Sequence, residues 1–412
     1  MGEIIKKIKR KKWELMFYLR NSIYYAVKRK RKSLPPINKN NIKVCFIVQR
    51  TEIFTSVQSV FETMCSDNRF SVSILVLPRY DHAKKKVDIS TIEKNIDFCK
   101  NLDEKITVIN PYNTQTKSFE GISGYNFDFI FLGLPYAGEY PEEYHFKTLS
   151  QYSRLCYVPY GSSYTDGMKM IKGCFTDNLL SYVDYLFADC DKVYNYCNSK
   201  LRLCKNTDLK SIVYNLGYPR FDLIKRSDKS GNAKTFLWLP RWTTNFDNNE
   251  KSTFLENKDV LIDYFKEHSE LILIIRPHPL MFSHYIAMGI MSQTEVNDYK
   301  SLIASLPNVS LDESSSYMES FEKADCLIAD YSAIDIEFLL TGRPIIYLDN
   351  VNAMDKNISD ALYVSDRPKM TVNYINKLIV GDDEKEELRN KALKLKVFRK
   401  GVARDIVESL LN

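Results

Sequence analysis

The chain alternates between short apolar runs and longer stretches in which apolar and polar residues mix at helical spacing. Lys43–Val48 (KVCFIV), Val72–Leu77 (VSILVL) and Leu271–Ile275 (LILII) are examples of the apolar runs. Such runs are typical of strands that are buried on both faces of a parallel sheet. Stretches such as Thr253–His268 lie between them and are predicted helices. Because strands and helices alternate, the sequence predicts βαβ units and an α/β fold.

The chain is long enough for more than one domain. At 412 residues it exceeds what one hydrophobic core usually supports. We therefore expect two Rossmann-like domains that face a cleft, preceded by a basic amphipathic helix. The predicted divisions are a helix in residues 1–32, a proline-containing linker in 33–41, a first domain in 42–214 and a second domain with terminal helices in 215–412.

Charge sets the first segment apart from the rest. Residues 1–32 contain twelve Lys or Arg against Glu3 and Glu14, a net charge of +10, whereas the whole chain carries +6. Residues 33–412 therefore carry −4, which argues against a general nucleic-acid surface. Residues 4–31 place aromatic and aliphatic side chains at roughly helical spacing among lysines and arginines. This pattern predicts a helix on an anionic membrane surface, with a solvated helix or a basic tail as the alternative.

Several classes of protein are disfavoured by composition. The nine cysteines include no Cys-x-x-Cys pair and follow no signal-peptide pattern, so we expect a reducing cytoplasm and not a disulfide framework. No run of eighteen apolar residues occurs, so no membrane span is expected. The five histidines and the cysteines lack zinc-ligand spacing, so no metal site is expected.

Polar residues follow two predicted strands in the second half of the chain. Arg241 follows the strand Phe236–Leu239, and Arg276 and His278 follow Leu271–Ile275 in the sequence RPHP. Because parallel strands end side by side, these groups are expected to share a crevice. Arg276 can grip phosphate oxygens bidentately, and Arg241 adds a second positive charge. His278, held between prolines, could donate a hydrogen bond to a phosphate oxygen or act as a general acid.

A third strand end adds a predicted helix start. Asp330, Tyr331 and Ser332 follow the apolar run that begins at Cys326, and the next residues are predicted to be helical. A helix amino terminus favours anions. Asp330 could cap that helix, and Glu337 could accept hydroxyls of a ribose or a polyol. Alone, such a segment is more often a cap than a binding site; together with arginine and histidine it predicts a phosphate site.

These motifs resemble a known family. RPHP followed by ADYSAIDIEFLLTGRPIIY, with NLGYPRFD (Asn215–Asp222) and LPRWT (Leu239–Thr243) before it, is similar to the CDP-glycerol glycerophosphotransferases, which prime and polymerise teichoic acids and related capsules. The resemblance covers roughly residues 150–350 and is strongest over 271–348. It implies a GT-B fold in which the first domain takes the acceptor and the second binds a CDP-activated donor.

The resemblance also implies roles for individual residues. His278 would be catalytic, and the donor would be a substrate, with no cofactor or metal required. Residues expected to bind substrate are Arg241, Arg276, Asp330, Tyr331, Ser332, Ala333, Glu337 and, in the first domain, Gly161.

The first domain departs from the family pattern. A His-Gly pair, proposed in the family as the catalytic base, falls here on Tyr160-Gly161. Tyrosine with an ordinary pKa near 10 is a poor base at neutral pH. Tyr160 and Asp166 are the candidate catalytic residues here: either Tyr160 is only a binding group, or another residue takes the proton, with Asp166, Glu139 and His145 as candidates.

The sequence predicts an enzyme at the cytoplasmic face of the cell membrane, attached peripherally. It would transfer a polyol- or sugar-phosphate from a CDP-linked donor to a hydroxyl of a glycan or lipid-linked acceptor and release CMP, for teichoic-acid-like or other cell-surface polymers. A GT-B glycosyltransferase that uses a nucleotide sugar for capsule or lipopolysaccharide synthesis is the first alternative. A membrane-surface protein with a degenerate nucleotide fold is the second.

Overall fold

The computed structural model describes residues 4, 7–12, 15, 16, 19, 34–81, 86–164, 167–201, 212–227, 231–244, 251–314, 317–348 and 356–411. The chain divides into two compact units. The first comprises Met1–Leu223 with Arg399–Asn412, and the second comprises Ile224–Phe398. The sequence had predicted a boundary at residue 215 and had kept the whole carboxyl-terminal stretch in the second domain.

The first unit is built on a parallel sheet. Its strands are β1 (Ile42–Val48), β2 (Phe70–Val76), β5 (Thr107–Ile109), β8 (Phe129–Leu132), β9 (Arg154–Tyr157), β10 (Tyr185–Ala188) and β11 (Ile212–Asn215). Two short antiparallel pairs are added, β3 (Arg79–Asp81) with β4 (Lys86–Asp88), and β6 (Tyr112–Asn113) with β7 (Ser118–Phe119). The seven strands of the sheet run in the order β11-β10-β9-β8-β1-β2-β5. Every residue of the central strand β8 is buried, as the apolar pattern predicted.

Short helices connect these strands. They are α1 (Thr51–Phe54), α2 (Gln58–Cys65), α3 (Ile92–Lys100), α4 (Phe146–Leu149), α5 (Met168–Cys174), α6 (Asp177–Tyr182) and α7 (Asp191–Leu201). The sequence had predicted one helix over Thr51–Cys65, and the structure divides it in two.

The second unit has a parallel sheet of six strands. They are β12 (Thr235–Leu239), β13 (Ile272–Ile275), β14 (Val309–Leu311), β15 (Cys326–Ala329), β16 (Ile345–Tyr347) and β17 (Tyr363–Val364). Their order is β14-β13-β12-β15-β16-β17, so the three predicted site strands β13, β12 and β15 are neighbours. The pairing aligns Trp238 with Ile275 on one side and with Ile328 on the other.

Helices cover this second sheet. They are α8 (Phe254–Glu267), α9 (Met281–Ala287), α10 (Gln293–Ser305), α11 (Met318–Lys323), α12 (Ala333–Leu339), α13 (Lys356–Ser359), α14 (Pro368–Ile379) and α15 (Glu386–Ala392). In α8, Phe254, Leu261 and Phe265 are fully buried at helical spacing. Phe254 stacks on Trp238 with ring centroids 5.5 Å apart. Burying an aromatic side chain of this kind contributes about 1.5–3 kcal/mol, so this face attaches α8 to the sheet.

A glycine ends the segment that follows α12. Gly342 has a positive φ of 80°, a backbone conformation that glycine adopts without strain. The chain turns there and enters β16, which begins at Ile345.

The last helix, α16 (Val402–Leu411), belongs to the first unit. Asp222, at the end of the NLGYPRFD segment, accepts hydrogen bonds from the backbone N–H groups of Gly401 (2.8 Å), Val402 (3.3 Å) and Ala403 (2.8 Å). A side chain distant in sequence thus satisfies the unpaired donors at the start of α16. This contact explains why the carboxyl-terminal helix returns to the first unit.

The basic leader lies mostly outside the described residues. Those that are described, 4, 7–12, 15, 16 and 19, are helical and exposed. Ile4, Ile8, Leu15 and Leu19 carry exposed apolar side chains. Within the described part of the chain, no helix is long and apolar enough to cross a membrane.

Candidate functional site

The structure brings together the three predicted site loops of the second unit, which follow β12, β13 and β15. Pairing of β12 with β13 continues beyond the strands, because Arg276 N–H donates to the Trp238 carbonyl at 2.8 Å and His278 N–H donates to the Pro240 carbonyl at 3.0 Å. The loop after β15 joins them, since Asp330 N–H donates to the Leu239 carbonyl at 3.4 Å. These three strand ends therefore emerge side by side, at the edge where parallel sheets bind ligands.

His278 is a neutral hydrogen-bonding group in this arrangement. Its Nδ1 accepts a hydrogen bond from Leu280 N–H at 3.2 Å, so the ring proton belongs on Nε2. The imidazole lies against Trp242, with ring centroids 5.8 Å apart. Desolvation by neighbouring groups and then the positive charge of Arg241 lower the pKa of His278 to about 4. At neutral pH, His278 can therefore donate its Nε2–H to a phosphate oxygen, and it is not an imidazolium acid in the free protein.

Arg241 lies across the turn between β15 and α12. Its Nη1 donates to the Tyr331 carbonyl at 2.8 Å, and its guanidinium carbon is 5.1 Å from the centroid of the Tyr331 ring. This cation–π contact and the hydrogen bond hold the guanidinium against the turn between β15 and α12. Arg241 and Tyr331, two predicted binding residues on different strands, are therefore in direct contact.

Asp330 is a buried residue that links two segments through hydrogen bonds. It is 1% exposed, and its carboxylate accepts hydrogen bonds from Arg241 N–H at 2.8 Å and from the Thr253 hydroxyl at 2.6 Å. Thr253 N–H and the Ser252 hydroxyl donate to it as well, at 3.2 and 3.3 Å. Burial raises the pKa of Asp330, and these donors oppose that effect. The expectation was that Asp330 caps α12; instead it secures the segment before α8 and the backbone of Arg241.

The start of α12 is capped from within. Ser332 is the N-cap residue, and its hydroxyl accepts from Ile334 N–H at 3.2 Å. Asp335, a buried residue that sequence reasoning missed, accepts from Ser332 N–H at 2.8 Å and completes a capping box. Two amides of the predicted anion site are therefore bonded inside the turn, and Ala333 is the first helical residue.

Glu337 has a hydrogen-bonding partner that the sequence did not reveal. The Tyr317 hydroxyl donates to its Oε2 at 2.5 Å, and Glu337 is buried. The bond joins α12 to the segment that precedes α11. Acceptance of ribose or polyol hydroxyls by Glu337 stays a prediction.

Arg276 contacts the loop after β14. Its Nη1 donates to Asp312 Oδ2 at 2.8 Å, and its Nη2 donates to the Ser314 carbonyl at 2.8 Å. Each side chain of the Arg276–Asp312 pair is 14% exposed. Burial pushes the pKa of Asp312 upward, but hydrogen bonds from Ser314, Ser320 and Arg276 outweigh it and lower the pKa to about 2. Arg276 thus supports this loop, and its predicted bidentate grip on phosphate stays a prediction.

In the first unit, Tyr160 is paired with a residue that the sequence analysis had not selected. The hydroxyls of Tyr136 and Tyr160 are 2.9 Å apart, and their ring centroids are 6.2 Å apart. Tyr136 follows β8, whereas Tyr160 and Gly161 follow β9. Beyond Gly161, the Ser162 hydroxyl and Ser163 N–H both donate to Asp189, at 3.1 and 2.6 Å.

The three other candidates for the catalytic base have surroundings different from those of Tyr160. Asp166 lies outside the described residues. Glu139 forms an ion pair with Arg50 at 2.9 Å. The His145 Nδ1 accepts from Lys147 N–H at 3.4 Å at the start of α4. Across the described residues, no group of three or more His, Cys, Asp or Glu could hold a metal ion.

Comparison with known proteins identifies a family resemblance over part of the chain. Residues 201–352 match the family model of CDP-Glycerol:Poly(glycerophosphate) glycerophosphotransferase. The resemblance to this glycerophosphotransferase family is confirmed. The matching segment contains the site strands β12, β13 and β15 but not the Tyr160 loop. No curated protein matches the chain.

Solved structures support the fold class. The Wall Teichoic Acid Polymerase TagF shares 12% identity and a TM-score of 0.54, covering 99% of this chain and 97% of that chain. UDP-GlcNAc 2-epimerase from Neisseria meningitidis, bound to UDP-GlcNAc, shares 12% identity and a TM-score of 0.57, covering 90% and 99%. At such identities the likeness shows the fold alone. The α/β, GT-B-like prediction with two Rossmann-like domains is confirmed.

Proposed function

We propose that this chain is a CDP-glycerol glycerophosphotransferase-like enzyme. It transfers a polyol- or sugar-phosphate from a CDP-activated donor to a hydroxyl of a membrane-associated glycan, in the synthesis of teichoic-acid-like or capsule polymers. The observation that carries the proposal is the glycerophosphotransferase match over 201–352, which spans the paired loops bearing Arg241 and His278. A TagF variant was studied with CDPG, which agrees with a CDP-linked donor in the family.

The proposed step is a displacement at phosphorus. The acceptor oxygen forms a bond to the distal phosphorus of the donor, the phosphorus–oxygen bond to CMP breaks, and the hydroxyl proton passes to solvent water. Charge grows on the oxygen that leaves with CMP. His278 donates its Nε2–H to the phosphates, and Arg241 adds a fixed positive charge, so both stabilise that charge.

The remaining donor residues surround these two. Tyr331, Ser332 and Ala333 would form the turn that borders the phosphates, and Glu337 would accept hydroxyls of the ribose or the polyol. Asp330 would act from inside the protein, because its carboxylate is bonded to the backbone of Arg241. Arg276 would act through the loop after β14 that it supports.

The basic leader would hold the enzyme at the cytoplasmic face of the membrane. Its described apolar side chains Ile4, Ile8, Leu15 and Leu19 are exposed, and lysines and arginines surround them. Apolar contact and attraction to anionic lipid add together at such a surface. Sedimentation with phosphatidylglycerol vesicles tests this, since binding should be lost on deletion of residues 1–32 and should be weak with neutral vesicles. Binding that persists after the deletion would refute it.

A GT-B glycosyltransferase is the second candidate. It is favoured by one observation, the tyrosine that stands where the family has a histidine. The purified protein incubated with CDP-glycerol, CDP-ribitol and nucleotide sugars separates the two. Release of CMP from a CDP-polyol in the presence of a polyol acceptor supports the phosphotransferase. Release of a nucleoside diphosphate from a nucleotide sugar, without CMP from either CDP-polyol, would replace it with the glycosyltransferase.

A further inference from the structure

The loop that carries Tyr160 is held at two points. β8 and β9 are paired up to Leu132 and Tyr157, so the loops that follow them leave the same edge of the sheet. One anchor is Asp189, which is 1% exposed at the end of β10 and binds the two serines after Gly161. The other anchor is Tyr136, whose hydroxyl meets that of Tyr160. A side chain fixed at both its backbone and its tip is preorganised for a ligand.

A phenol with the ordinary tyrosine pKa near 10 is neutral at physiological pH. Burial raises the pKa of Tyr136, and its hydrogen bonds with Tyr160 and with the Cys174 thiol at 3.5 Å act in the same direction. A neutral phenol is a weak base, so the pair does not take a proton from an alcohol. It can both donate and accept hydrogen bonds, and a phenol oxygen can take part in up to three of them.

We propose that Tyr136 and Tyr160 form the binding site for the attacking hydroxyl of the polyol or sugar acceptor. Tyr160 contacts that hydroxyl, and Tyr136 is a positioning residue that orients the Tyr160 O–H. This inference rests on the proposed function and adds the residues and chemistry that recognise the acceptor. A pair of neutral hydroxyls matches a neutral alcohol group, and the half-buried aromatic rings offer apolar surface to the carbon atoms beside it.

Two variants that retain the rings test the site. The probe is a synthetic tri(glycerol phosphate) with free terminal hydroxyls, used with CDP-glycerol. Tyr160→Phe should raise the KM for the trimer about fivefold to tenfold, as expected for one lost hydrogen bond, and leave the KM for CDP-glycerol unchanged. Tyr136→Phe should raise the trimer KM by less. The double variant should match Tyr160→Phe, because a positioning residue has no effect once the group it orients is gone.

Tyr152→Phe is the matched control. Tyr152 is 42% exposed at the amino end of β9, the opposite end of the strand from Tyr160, and its replacement should change neither KM. The pH profile of kcat should keep its shape in both Tyr136→Phe and Tyr160→Phe, because a phenol with the ordinary tyrosine pKa near 10 is neutral around pH 7. Additive effects of the two substitutions, or equal changes in both KM values, would overturn the assignment.

Equilibrium binding separates this inference from the proposed function. Calorimetry with the trimer measures binding whether or not turnover occurs. Equal affinities of the wild type and Tyr160→Phe, or no measurable binding to the wild type, would overturn the tyrosine site. Absence of CMP release by the wild type would instead count against the phosphotransferase, so the two failures are distinguishable.

Discussion

The two parallel sheets present different chemistry at their carboxyl ends. In the second unit, the loops after β12 and β13 carry Arg241 and His278, a permanent cation and a neutral hydrogen-bond donor. In the first unit, the loops after β8 and β9 carry the neutral phenols of Tyr136 and Tyr160. The first set suits phosphate oxygens and the second suits an uncharged hydroxyl. Under the proposed function, the same backbone arrangement would serve two kinds of ligand, and the side chains would make the difference.

The carboxyl ends of the two sheets nevertheless share one structural feature. A buried aspartate ends one strand and binds the loop after the neighbouring strand. Asp330 follows β15 and accepts from Arg241 N–H beside β12, and Asp189 follows β10 and accepts from Ser163 N–H beside β9. Both carboxylates also accept a hydroxyl from the segment that they hold. Asp330 positions Arg241, whose backbone N–H it binds, and Asp189 positions Tyr160, which precedes the serines that it binds. The residues that support each loop therefore differ from the residues proposed to contact the ligand.

Loss of His278 should have the largest effect and would separate the two edges most sharply. His278→Ala removes the neutral donor at the phosphates, and we expect kcat to fall by about 10² to 10³-fold with a smaller change in the acceptor KM. Rates of CMP release measure this. His268→Ala is the control, since His268 lies at the end of α8, where its Nδ1 is 3.1 Å from Glu270. A fully active His278→Ala variant would remove His278 from the mechanism.

The shared aspartates allow a paired test of the comparison. Asp330→Asn and Asp189→Asn keep the volume but weaken buried hydrogen bonds to backbone N–H groups, so each should lower the free energy of unfolding by about 1–3 kcal/mol. Urea denaturation measures that loss. In kinetics, Asp330→Asn should raise mainly the KM for the CDP donor, and Asp189→Asn mainly that for the acceptor. If both variants raised the same KM, the two edges would not have separate ligands.

The Arg276–Asp312 pair makes a pH-dependent prediction. The pKa of Asp312 is lowered to about 2 in the folded protein, against an ordinary value of 3.8. A carboxyl group whose pKa is lower in the folded protein than in the unfolded chain stabilises the fold at pH values above its unfolded pKa. That stability is lost as pH falls toward 2. Asp312→Asn should therefore lower the free energy of unfolding by about 2 kcal/mol at pH 7. The difference in unfolding free energy between this variant and the wild type should become smaller between pH 4 and pH 2. A pH-independent difference would contradict this account.

The smallest effect concerns the link between Arg241 and His278. Desolvation is the first cause of the lowered His278 pKa, and the charge of Arg241 is the second. Arg241→Ala should therefore raise the pKa of His278 only part of the way from about 4 toward its ordinary 6.5. NMR titration of the imidazole measures this shift, and Lys251→Ala provides a control cation on the same connection between β12 and α8. An unchanged His278 pKa in Arg241→Ala would show that the two groups do not interact.

Much of the fold follows from local sequence. Phe236–Leu239 and the apolar run that begins at Cys326 were predicted from sequence, and the structure places β12 and β15 there. Ser332 was predicted to begin a helix, and it does. The sequence analysis missed α10 although Ser292 and Glu295 carry a capping-box spacing that marks its start. Apolar runs and capping residues act within a few positions along the chain, so they can be read without the fold.

The identity of each site residue's partner could not be read in this way. The sequence did not reveal the bond of Arg276 to Asp312, and it predicted Asp330 as a cap of α12, whereas Asp330 bonds to Thr253. Tyr136 was not considered, although its hydroxyl meets that of Tyr160. In each case the direction of a side chain decides the contact, and that direction depends on packing against residues far away in sequence.

The sequence by itself determined the α/β class, most strands, the loops that carry polar residues and the family resemblance. Only the tertiary structure decided which polar groups bind one another, that two buried aspartates anchor the loops, and that the last helix returns to the first unit through Asp222. The physical reason is the range of the forces that act. Backbone propensity and hydrophobic periodicity are local properties of a segment, whereas a buried carboxylate takes whichever donors the folded chain brings within hydrogen-bonding distance.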